Sequence, residues 1–510
     1  MNSKPIAAFF VAGWTAALFV GCAQCIPSVG PDYEAPALAD VDFALPDAGY
    51  PTTNLTATCE YRAAEAKDDA RQDVADGDIN GWWQRFNDPI LTDLVENSAT
   101  NNLSFLMAVE RLEQAGWEWL GSYAAFMPKF ALGGSWTRRW YRENVPSGSF
   151  SRSHYNLNNV ALDGNWELDL FGGNRRATEA AIAQAVAASW SVDDAWVALT
   201  TQIGEAYITL RTTQERIDVA RTNLVLQSET YDILKSRLDS GIGDELAVNQ
   251  CAYIVEQTRA RLPALLSQEE ALKNDLAILA GEVPGAFEET LAPLAVHRDW
   301  LLAPQKVSEL PLDFVRRRPD VRVAERQLAA ATAAIGVAKA QWFPKLFVSG
   351  TVGFQTRNGT RLFDKESFLA SLGPAISWPI LQGGAIYSNV KATESKMRQA
   401  MLAYALAVER AYGEVRNAYA AYTQEYHRYQ SLAGAVKAAA DAVTISQDLY
   451  KNGLKDFNNV LDAQRSRLQL EEEYVISRGQ ITLDLIRLYR ALGGGFATQD
   501  EASEAETAED

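Results

Sequence analysis

"SWPILQGGAIYSNVKATE" (Ser377–Glu394) and "NWELDLFGGNRRATEA" (Asn165–Ala180) decide the fold, because the chain makes the same transition in both. In each stretch a segment rich in aromatic and aliphatic residues ends, a Gly-Gly pair follows, and a long alanine-rich segment begins. Glycine adopts backbone conformations that are closed to other residues, so a Gly-Gly pair favours a sharp change of direction. The sequence therefore predicts two junctions at which a strand becomes a helix, one in each half of the chain.

The whole order of elements is duplicated around these junctions. Met127-Pro128-Lys129 recurs as Phe343-Pro344-Lys345, and "SRLDSGIGDEL" (Ser236–Leu246) is echoed by "DLYKNGLKDFN" (Asp448–Asn458). Each half reads helix, Pro-Lys, strand, loop, strand, Gly-Gly, very long helix, glycine turn, helix. This self-similarity predicts two structural repeats, residues 81–300 and 301–495.

Along the predicted strand pairs near 130–170 and 345–380, large apolar residues alternate with small or polar residues, so each strand has one apolar and one polar face. Such alternation fits a barrel with lipid outside and water inside, and it equally fits a soluble sandwich with one buried face. Aromatic residues at the strand ends would suit the membrane interface. The predicted interface residues are Trp136, Trp140, Trp166 and Trp378, with Trp342 beside them.

The long helices favour the barrel interpretation. From Gly384 to Gly453 the pattern is helical without a proline, which gives a rod of about 100 Å. Rods of this length persist in water when they pack into coiled coils. Four strands per chain cannot close a barrel, since bacterial barrels start at about 8 strands, so several chains must pool their strands. The predicted fold is mainly α with a small β part: pooled strands form a transmembrane β-barrel, and the long helices pack as coiled coils.

The ends of the chain have a different character. Residues 1–21 have the layout of an export signal peptide: Lys4, an apolar stretch and a small residue before Cys22. Cys22 is the predicted lipid anchor, although Phe19 stands where a lipobox has leucine, and cleavage without lipidation is the alternative. Residues 22–80 are expected to form an extended tether, and residues 496–510 a disordered acidic tail. No later segment supplies the roughly 20 apolar residues of a transmembrane helix, so any span is expected to be a β-barrel.

Composition excludes several classes of protein. The chain has 510 residues and a formal charge of −18, which argues against a nucleic-acid partner. Its three histidines and four cysteines show no metal-ligand spacing, and no nucleotide-binding loop or serine-nucleophile motif is present. We therefore predict no catalytic residue, no metal and no cofactor. The run Arg316–Asp320 could be read as an anion site, but Pro319 and Asp320 favour the start of a helix.

Four stretches resemble the TolC family of outer-membrane efflux ducts, most closely its NodT/OprM lipoprotein branch. They are "VGPDYEAP" (Val29–Pro36), "WWQRFNDPILTDLV" (Trp82–Val95), "LPLDFVRRRPDVRVAERQLAAATAAIGVAKAQWFPKL" (Leu310–Leu346) and "NNVLDAQRSRLQLE" (Asn458–Glu471). The resemblance implies a homotrimer whose chains share a 12-stranded barrel that continues into a helical tube. It also implies two partners, a periplasmic adaptor and an inner-membrane pump, with the barrel embedded in outer-membrane lipid.

The resemblance makes the two helix-hairpin turns the first candidate site. In the family these turns form the periplasmic tip that the adaptor contacts. That role carries over to Gly241, Ile242, Gly243, Asp244, Gly453, Leu454, Lys455 and Asp456. Gly453 also has a plain explanation, because helices commonly end on a glycine in the left-handed conformation.

The second candidate site is the pore aperture just after the second turn. Asp462 matches a family aspartate at the closed aperture, whereas Asn459 and Ala247 stand where relatives carry acidic residues. Tyr450 and Lys455 match positions that link helices and hold the tip shut. A trimer would turn each residue into a ring of three, and a ring of carboxylates selects cations. The alternative for Asp462 is a solvated charge on a helix.

The sequence thus predicts the outer-membrane channel of a tripartite efflux pump, a passive exit duct for small molecules in a Gram-negative cell. The alternatives are a duct for type I protein secretion and a structural periplasmic lipoprotein without a pore. A soluble enzyme is the weakest interpretation, because the sequence shows no recognisable catalytic motif.

Overall fold

The computed structural model describes residues 28–34, 81–140, 154–294 and 312–494. The predictions for the signal peptide, Cys22, most of the tether and the acidic tail lie outside these residues. Contacts divide the chain into two compact units, each of which draws on both halves of the sequence.

Each half of the chain contains a strand hairpin and a helical hairpin. The first half contains α1 (Pro89–Asn101), α2 (Leu103–Tyr123), β1 (Lys129–Trp140), β2 (His154–Leu168), α3 (Gly173–Asp239) and α4 (Glu245–Ala280). The second contains α5 (Leu312–Arg317), α6 (Pro319–Ala340), β3 (Lys345–Thr356), β4 (Phe368–Ser377), α7 (Ala385–Lys451) and α8 (Phe457–Ala491). The helices α3 and α7 are 67 residues long each, so the duplication extends to their length.

The four strands form one antiparallel sheet in the order β1-β2-β3-β4. Its register pairs Asp163 with Thr351 and Leu162 with Val352, so polar residues share one face and apolar residues the other. The predicted alternation is therefore confirmed. β4 ends at Ser377, so Trp378, which the sequence placed on the strand, follows it.

The two Gly-Gly pairs lie where the structure turns into α3 and α7. Gly172, Gly383 and Gly384 have φ of 78°, 57° and 83°, in the left-handed region that other residues avoid. The prediction of two strand-to-helix junctions is confirmed, and the positive φ values explain why glycine stands there.

Residues 28–34, which include most of the first stretch that resembles the family, dock beside the first junction. The Val29 N–H donates to the Phe171 carbonyl at 3.2 Å, and Arg176 pairs with Asp32 at 2.5 Å. A Cβ on Gly336 would approach the Val29 carbonyl to 2.8 Å, so the close passage of this segment depends on glycine.

A hydrophobic core surrounds the start of α1. Asp88 caps this helix by accepting the Ile90 N–H at 3.1 Å, and Pro89 follows at the first helical position. The Tyr207 hydroxyl donates to the second oxygen of Asp88 at 2.7 Å and thereby ties α1 to α3. Trp82, Leu91 and Val95 are buried in this core.

The Arg316–Asp320 run has a structural role in the fold. Arg318 is buried, donates to the Ala491 carbonyl at the end of α8 at 3.0 Å, and pairs with Asp320 at 2.8 Å and Glu414 at 2.6 Å. α6 begins at Pro319, as the sequence predicted. A charge satisfied on this many sides is stable inside a protein and leaves little capacity for an external anion.

Candidate functional site

The turn between α3 and α4 is a glycine-dependent helix stop. The Gly241 N–H donates to the Leu238 carbonyl at 2.8 Å, and the Ile242 N–H donates to the Arg237 carbonyl at 3.1 Å. Gly241 has φ of 76°. This pair of bonds is the Schellman arrangement, which satisfies the last helix carbonyls and exposes the residue that follows.

The turn between α7 and α8 repeats the arrangement. The Gly453 N–H donates to the Tyr450 carbonyl and the Leu454 N–H to the Leu449 carbonyl, both at 2.9 Å, and Gly453 has φ of 71°. Ile242 and Leu454 occupy equivalent positions and are 73% and 68% exposed. Each turn thus presents one apolar side chain at its end.

The two turns differ at the residue before the helix cap. A Cβ on Gly243 would overlap the backbone of Leu238, so any residue other than glycine would force the local backbone to move. Lys455 occupies the matching place in the second turn and is exposed. Asp244 caps α4 by accepting the Leu246 N–H at 2.9 Å, while the Asp456 carbonyl accepts the Asn459 N–H at 3.2 Å.

An apolar cluster joins the two hairpins just behind their turns. It combines side chains of α3, α4 and α8 with Tyr450 at the end of α7: Leu234, Ala247, Val248, Cys251, Ile254, Phe457, Val460 and Leu461. The cluster brings the first-half and second-half candidates into one local structure.

Tyr450 lies at the centre of the contacts between the hairpins. Its ring packs edge-on against Phe457, with centroids 5.2 Å apart, and the Arg237 guanidinium lies 5.3 Å from its centroid. The cation–π contact crosses from α3 to α7. Sequence reasoning selected Tyr450 but missed Arg237, whose position carries no local signal.

Asp462 lies on the exposed surface of α8, with its side chain 77% exposed in the single chain. The Arg465 guanidinium lies one turn away, 3.9 Å from the carboxylate, and also 5.1 Å from the Tyr253 ring centroid on α4. Each Asp462 therefore has an adjacent cation. The Asn459 amide donates to the Asp456 carbonyl at 3.1 Å, which gives this side chain a local contact at the turn.

Ion pairs connect the hairpins farther along the helices. Glu472 on α8 accepts from Arg216 at 2.8 Å and from Arg261 at 3.1 Å, and Arg478 pairs with Glu215. Arg487 pairs with Glu205 at 2.7 Å. Partly desolvated pairs that share a partner hold their geometry better than isolated surface pairs.

The four predicted interface tryptophans fall into two groups. Trp136 and Trp140 are 64% and 71% exposed on the apolar face of the sheet. The indole N–H of Trp166 donates to the Phe126 carbonyl at 2.8 Å, and that of Trp378 donates to the Trp342 carbonyl at 3.0 Å. The acceptor Phe126 lies two residues before Pro128, and the acceptor Trp342 lies two residues before Pro344. The two hydrogen bonds are therefore at equivalent positions in the two halves of the chain.

The exposed apolar face of the sheet is continuous across its strands. It includes several of the most exposed large side chains in the chain: Phe130, Leu132, Trp136, Trp140, Leu162, Val352, Phe368, Leu372 and Ile376. An apolar surface of this extent requires a partner or a lipid environment. In the described part of the chain no helix is both long and apolar enough to cross a membrane, and no group of potential ligands suits a metal ion.

The family model described as outer membrane efflux protein matches residues 94–282 and 310–494 of this chain. The chain belongs to the outer membrane efflux protein family. The resemblance drawn from the sequence is thus confirmed, and so are the channel function and the outer-membrane location. Members of this family are channels rather than enzymes.

Individual relatives are similar in sequence to this chain over most of their length. Nodulation protein T of Rhizobium leguminosarum bv. viciae is 32% identical over 443 residues, which cover 86% of this chain and 89% of that protein. Outer membrane protein OprJ of Pseudomonas aeruginosa is 27% identical over 87% of this chain and 93% of its own length.

Solved structures of outer-membrane proteins have the same fold. The outer-membrane channel OprN superposes with a TM-score of 0.79 and 30% identity, covering 92% of this chain and 99% of that one. VceC of Vibrio cholerae superposes with a TM-score of 0.75 and 25% identity over 82% of this chain and 99% of its own.

Proposed function

We propose that three copies of this efflux protein assemble into a passive exit duct, each chain supplying four strands to a 12-stranded barrel. β1 and β4 are the edge strands of an open sheet and carry unpaired backbone groups. Pairing β1 of one copy with β4 of the next removes both edges, and three copies supply enough strands for closure.

One observation supports this proposal above the others. The sheet has one polar face and one apolar face, and the apolar face is exposed at Leu132, Leu372 and Ile376 by 77%, 82% and 73%. A soluble sandwich would bury such a face, whereas a barrel turns it toward lipid and the polar face toward water.

The tip of the hairpins is the proposed gate. Asp462 would form a ring of three at the aperture, with Tyr450 and Lys455 restraining the surrounding helices. The contacts that join the hairpins there include an apolar cluster and the cation–π pairs Arg237–Tyr450 and Arg465–Tyr253, which can separate without breaking a strong ion pair. An adaptor opens the gate if it binds the separated hairpins more tightly than the packed ones.

The turns are the proposed adaptor contact. They expose the apolar Ile242 and Leu454 beside backbone that Gly241 and Gly453 leave uncovered. The duct is a conduit rather than an enzyme, so the energy for transport comes from an inner-membrane pump. Cys22 is the proposed lipid anchor.

Planar-bilayer conductance of the purified protein, beside its Asp462→Ala variant, tests the duct and its aperture separately. We expect small, cation-selective steps from the native protein and reduced cation selectivity from the variant. Identical selectivity in both would move the aperture away from Asp462. Absence of conductance, even after Tyr450→Ala and Lys455→Ala loosen the tip, would exclude the duct.

The adaptor contact has its own test. Gly453→Trp should abolish export from cells while leaving the trimer in the outer membrane, because the side chain covers the exposed turn. Export at the native level from that variant would contradict the assignment of the turn to the adaptor.

A further inference from the structure

The sheet has a helix end, beside the Gly-Gly junctions, and an opposite end, the loop end, to which Trp140 of β1 and His154 of β2 belong. β1 ends at Trp140 and β2 begins at His154, and these two residues are paired in the register. Residues 138–153 carry four arginines against one glutamate, and residues 357–367 carry three basic residues against two acidic ones. The chain as a whole has a charge of −18, so these two stretches of sequence are locally basic in an acidic protein.

One of these basic residues lies on the apolar face. Arg138 alternates with Trp136 and Trp140 along β1, so all three side chains project to the same side of the sheet. The Arg138 guanidinium lies 5.6 Å from the Trp140 ring centroid. His154, opposite Trp140 in the register, shares that face and is exposed.

Arg139 projects to the other face. It is paired with Tyr155, and the Arg357 guanidinium lies 4.7 Å from the Tyr155 ring centroid. β1 thus places Arg138 among the exposed aromatic residues and Arg139 on the polar face. Substitution of Arg139 is therefore a matched control for substitution of Arg138.

A cation on a lipid-facing surface has few suitable positions. An arginine that faces lipid is most destabilising near the bilayer midplane, and the cost becomes small near the interface. Tryptophan also concentrates at the interface, where phosphate groups lie at the same depth. Arginine binds phosphate through paired, charge-assisted hydrogen bonds that a lysine or a neutral side chain cannot reproduce.

We propose that Arg138, Trp140 and His154 form a binding site for the phosphate groups of outer-leaflet lipid. Arg138 donates to the phosphate, Trp140 holds the guanidinium against the sheet, and His154 borders the site on the neighbouring strand. The proposal rests on the proposed function, which turns the apolar face toward lipid. The proposed ligand is a phosphorylated lipid headgroup, and it binds at the loop end of the sheet.

Native mass spectrometry of the purified protein with diphosphoryl lipid A, and with the same lipid after removal of its phosphates, tests the site. The variants are Arg138→Gln, His154→Asn and, as the matched control, Arg139→Gln. We expect the native protein to prefer the phosphorylated lipid. Arg138→Gln should weaken its binding about tenfold, whereas Arg139→Gln should change it by less than about twofold.

Equal binding of both lipids would overturn the proposal, and so would binding at the native level by Arg138→Gln or an equal loss of binding in Arg139→Gln. Competition by inorganic phosphate at the same concentration as lipid A would also overturn it, because the site would then take free phosphate. Circular dichroism shows whether each variant is folded. The bilayer recording of the native protein is independent, so a failed duct and a failed lipid site give different results.

Discussion

Cys251 provides a residue-scale probe of the contact between the hairpins. Its side chain is 1% exposed within the apolar cluster, and its thiol lies 3.7 Å from the Gln227 carbonyl. Burial raises the pKa of the Cys251 thiol to about 11. Because the thiolate is the reactive form, this thiol should resist alkylation for as long as the cluster stays packed.

We predict slow maleimide labelling of Cys251 in the native protein. At pH 8 a thiol with a pKa of about 11 is about one-thousandth ionised, against about a quarter for an ordinary thiol. The rate should rise about tenfold per pH unit without a plateau by pH 9. Arg237→Ala, which removes the contact with Tyr450, should loosen the cluster and increase the rate at least tenfold.

The readout is peptide mapping by mass spectrometry, which separates Cys251 from the other three cysteines. Arg259→Ala is the control, since Arg259 is exposed and pairs with Glu256 on its own helix. Fast labelling of the native protein at pH 8, or equal rates in the two variants, would show that the cluster does not protect the thiol.

At the scale of elements, Trp166 and Trp378 fasten the two strand hairpins in the same way. Each indole N–H reaches back to the carbonyl that precedes the opening Pro-Lys pair, at 2.8 Å and 3.0 Å. The proposed position of these residues at the membrane interface and their hydrogen bonds can be tested separately, because phenylalanine keeps the aromatic ring and lacks the N–H donor.

We predict that Trp166→Phe and Trp378→Phe each lower the free energy of unfolding by about 1 kcal/mol, the typical net value of one hydrogen bond. The double variant should lose the sum, since the bonds lie in different hairpins. Urea unfolding in detergent, followed by circular dichroism, measures the change. Trp136→Phe is the control; a loss as large as that of Trp166→Phe would assign the effect to the ring rather than to the bond.

Local patterns explain why much of the architecture could be predicted from the sequence. The repeat, the Gly-Gly junctions, the cap at Asp88 and the alternation of the strands all depend on residues close in the chain. Gly241 and Gly453 were recognisable for the same reason. The end of β4 could not be predicted in this way. Trp378 continues the apolar alternation, but the strand ends at Ser377, and Pro379 supplies no N–H for the ladder.

Contacts between distant segments could not be predicted in this way. Arg216 and Glu472 are 256 positions apart, and neither residue has a local pattern that marks its partner. The same holds for Arg237 with Tyr450 and for Arg465 with Tyr253. The aperture assignment came from the family resemblance, which identifies Asp462 but says nothing about the arginine beside it.

At the scale of the whole molecule, assembly in the outer membrane depends on which face of the sheet meets lipid. Leu372 lies near the middle of β4 and is 82% exposed on the apolar face, opposite Gly350 in the register. Ser371, one residue earlier, is paired with Thr351 on the polar face. Adjacent positions on one strand therefore sample the two environments that the duct would create.

We predict that Leu372→Arg prevents accumulation of heat-stable trimers in the outer membrane, whereas Ser371→Arg is tolerated. An arginine on the lipid face at mid-depth costs about 2–4 kcal/mol in every chain, and a trimer bears that cost three times. An arginine on the polar face meets water and alters the lumen without opposing insertion. Membrane fractionation followed by gel electrophoresis, with and without boiling, measures the trimer. If the two variants assemble equally, the apolar face does not contact lipid; if only Ser371→Arg fails, the faces are reversed and the sheet encloses an apolar interior.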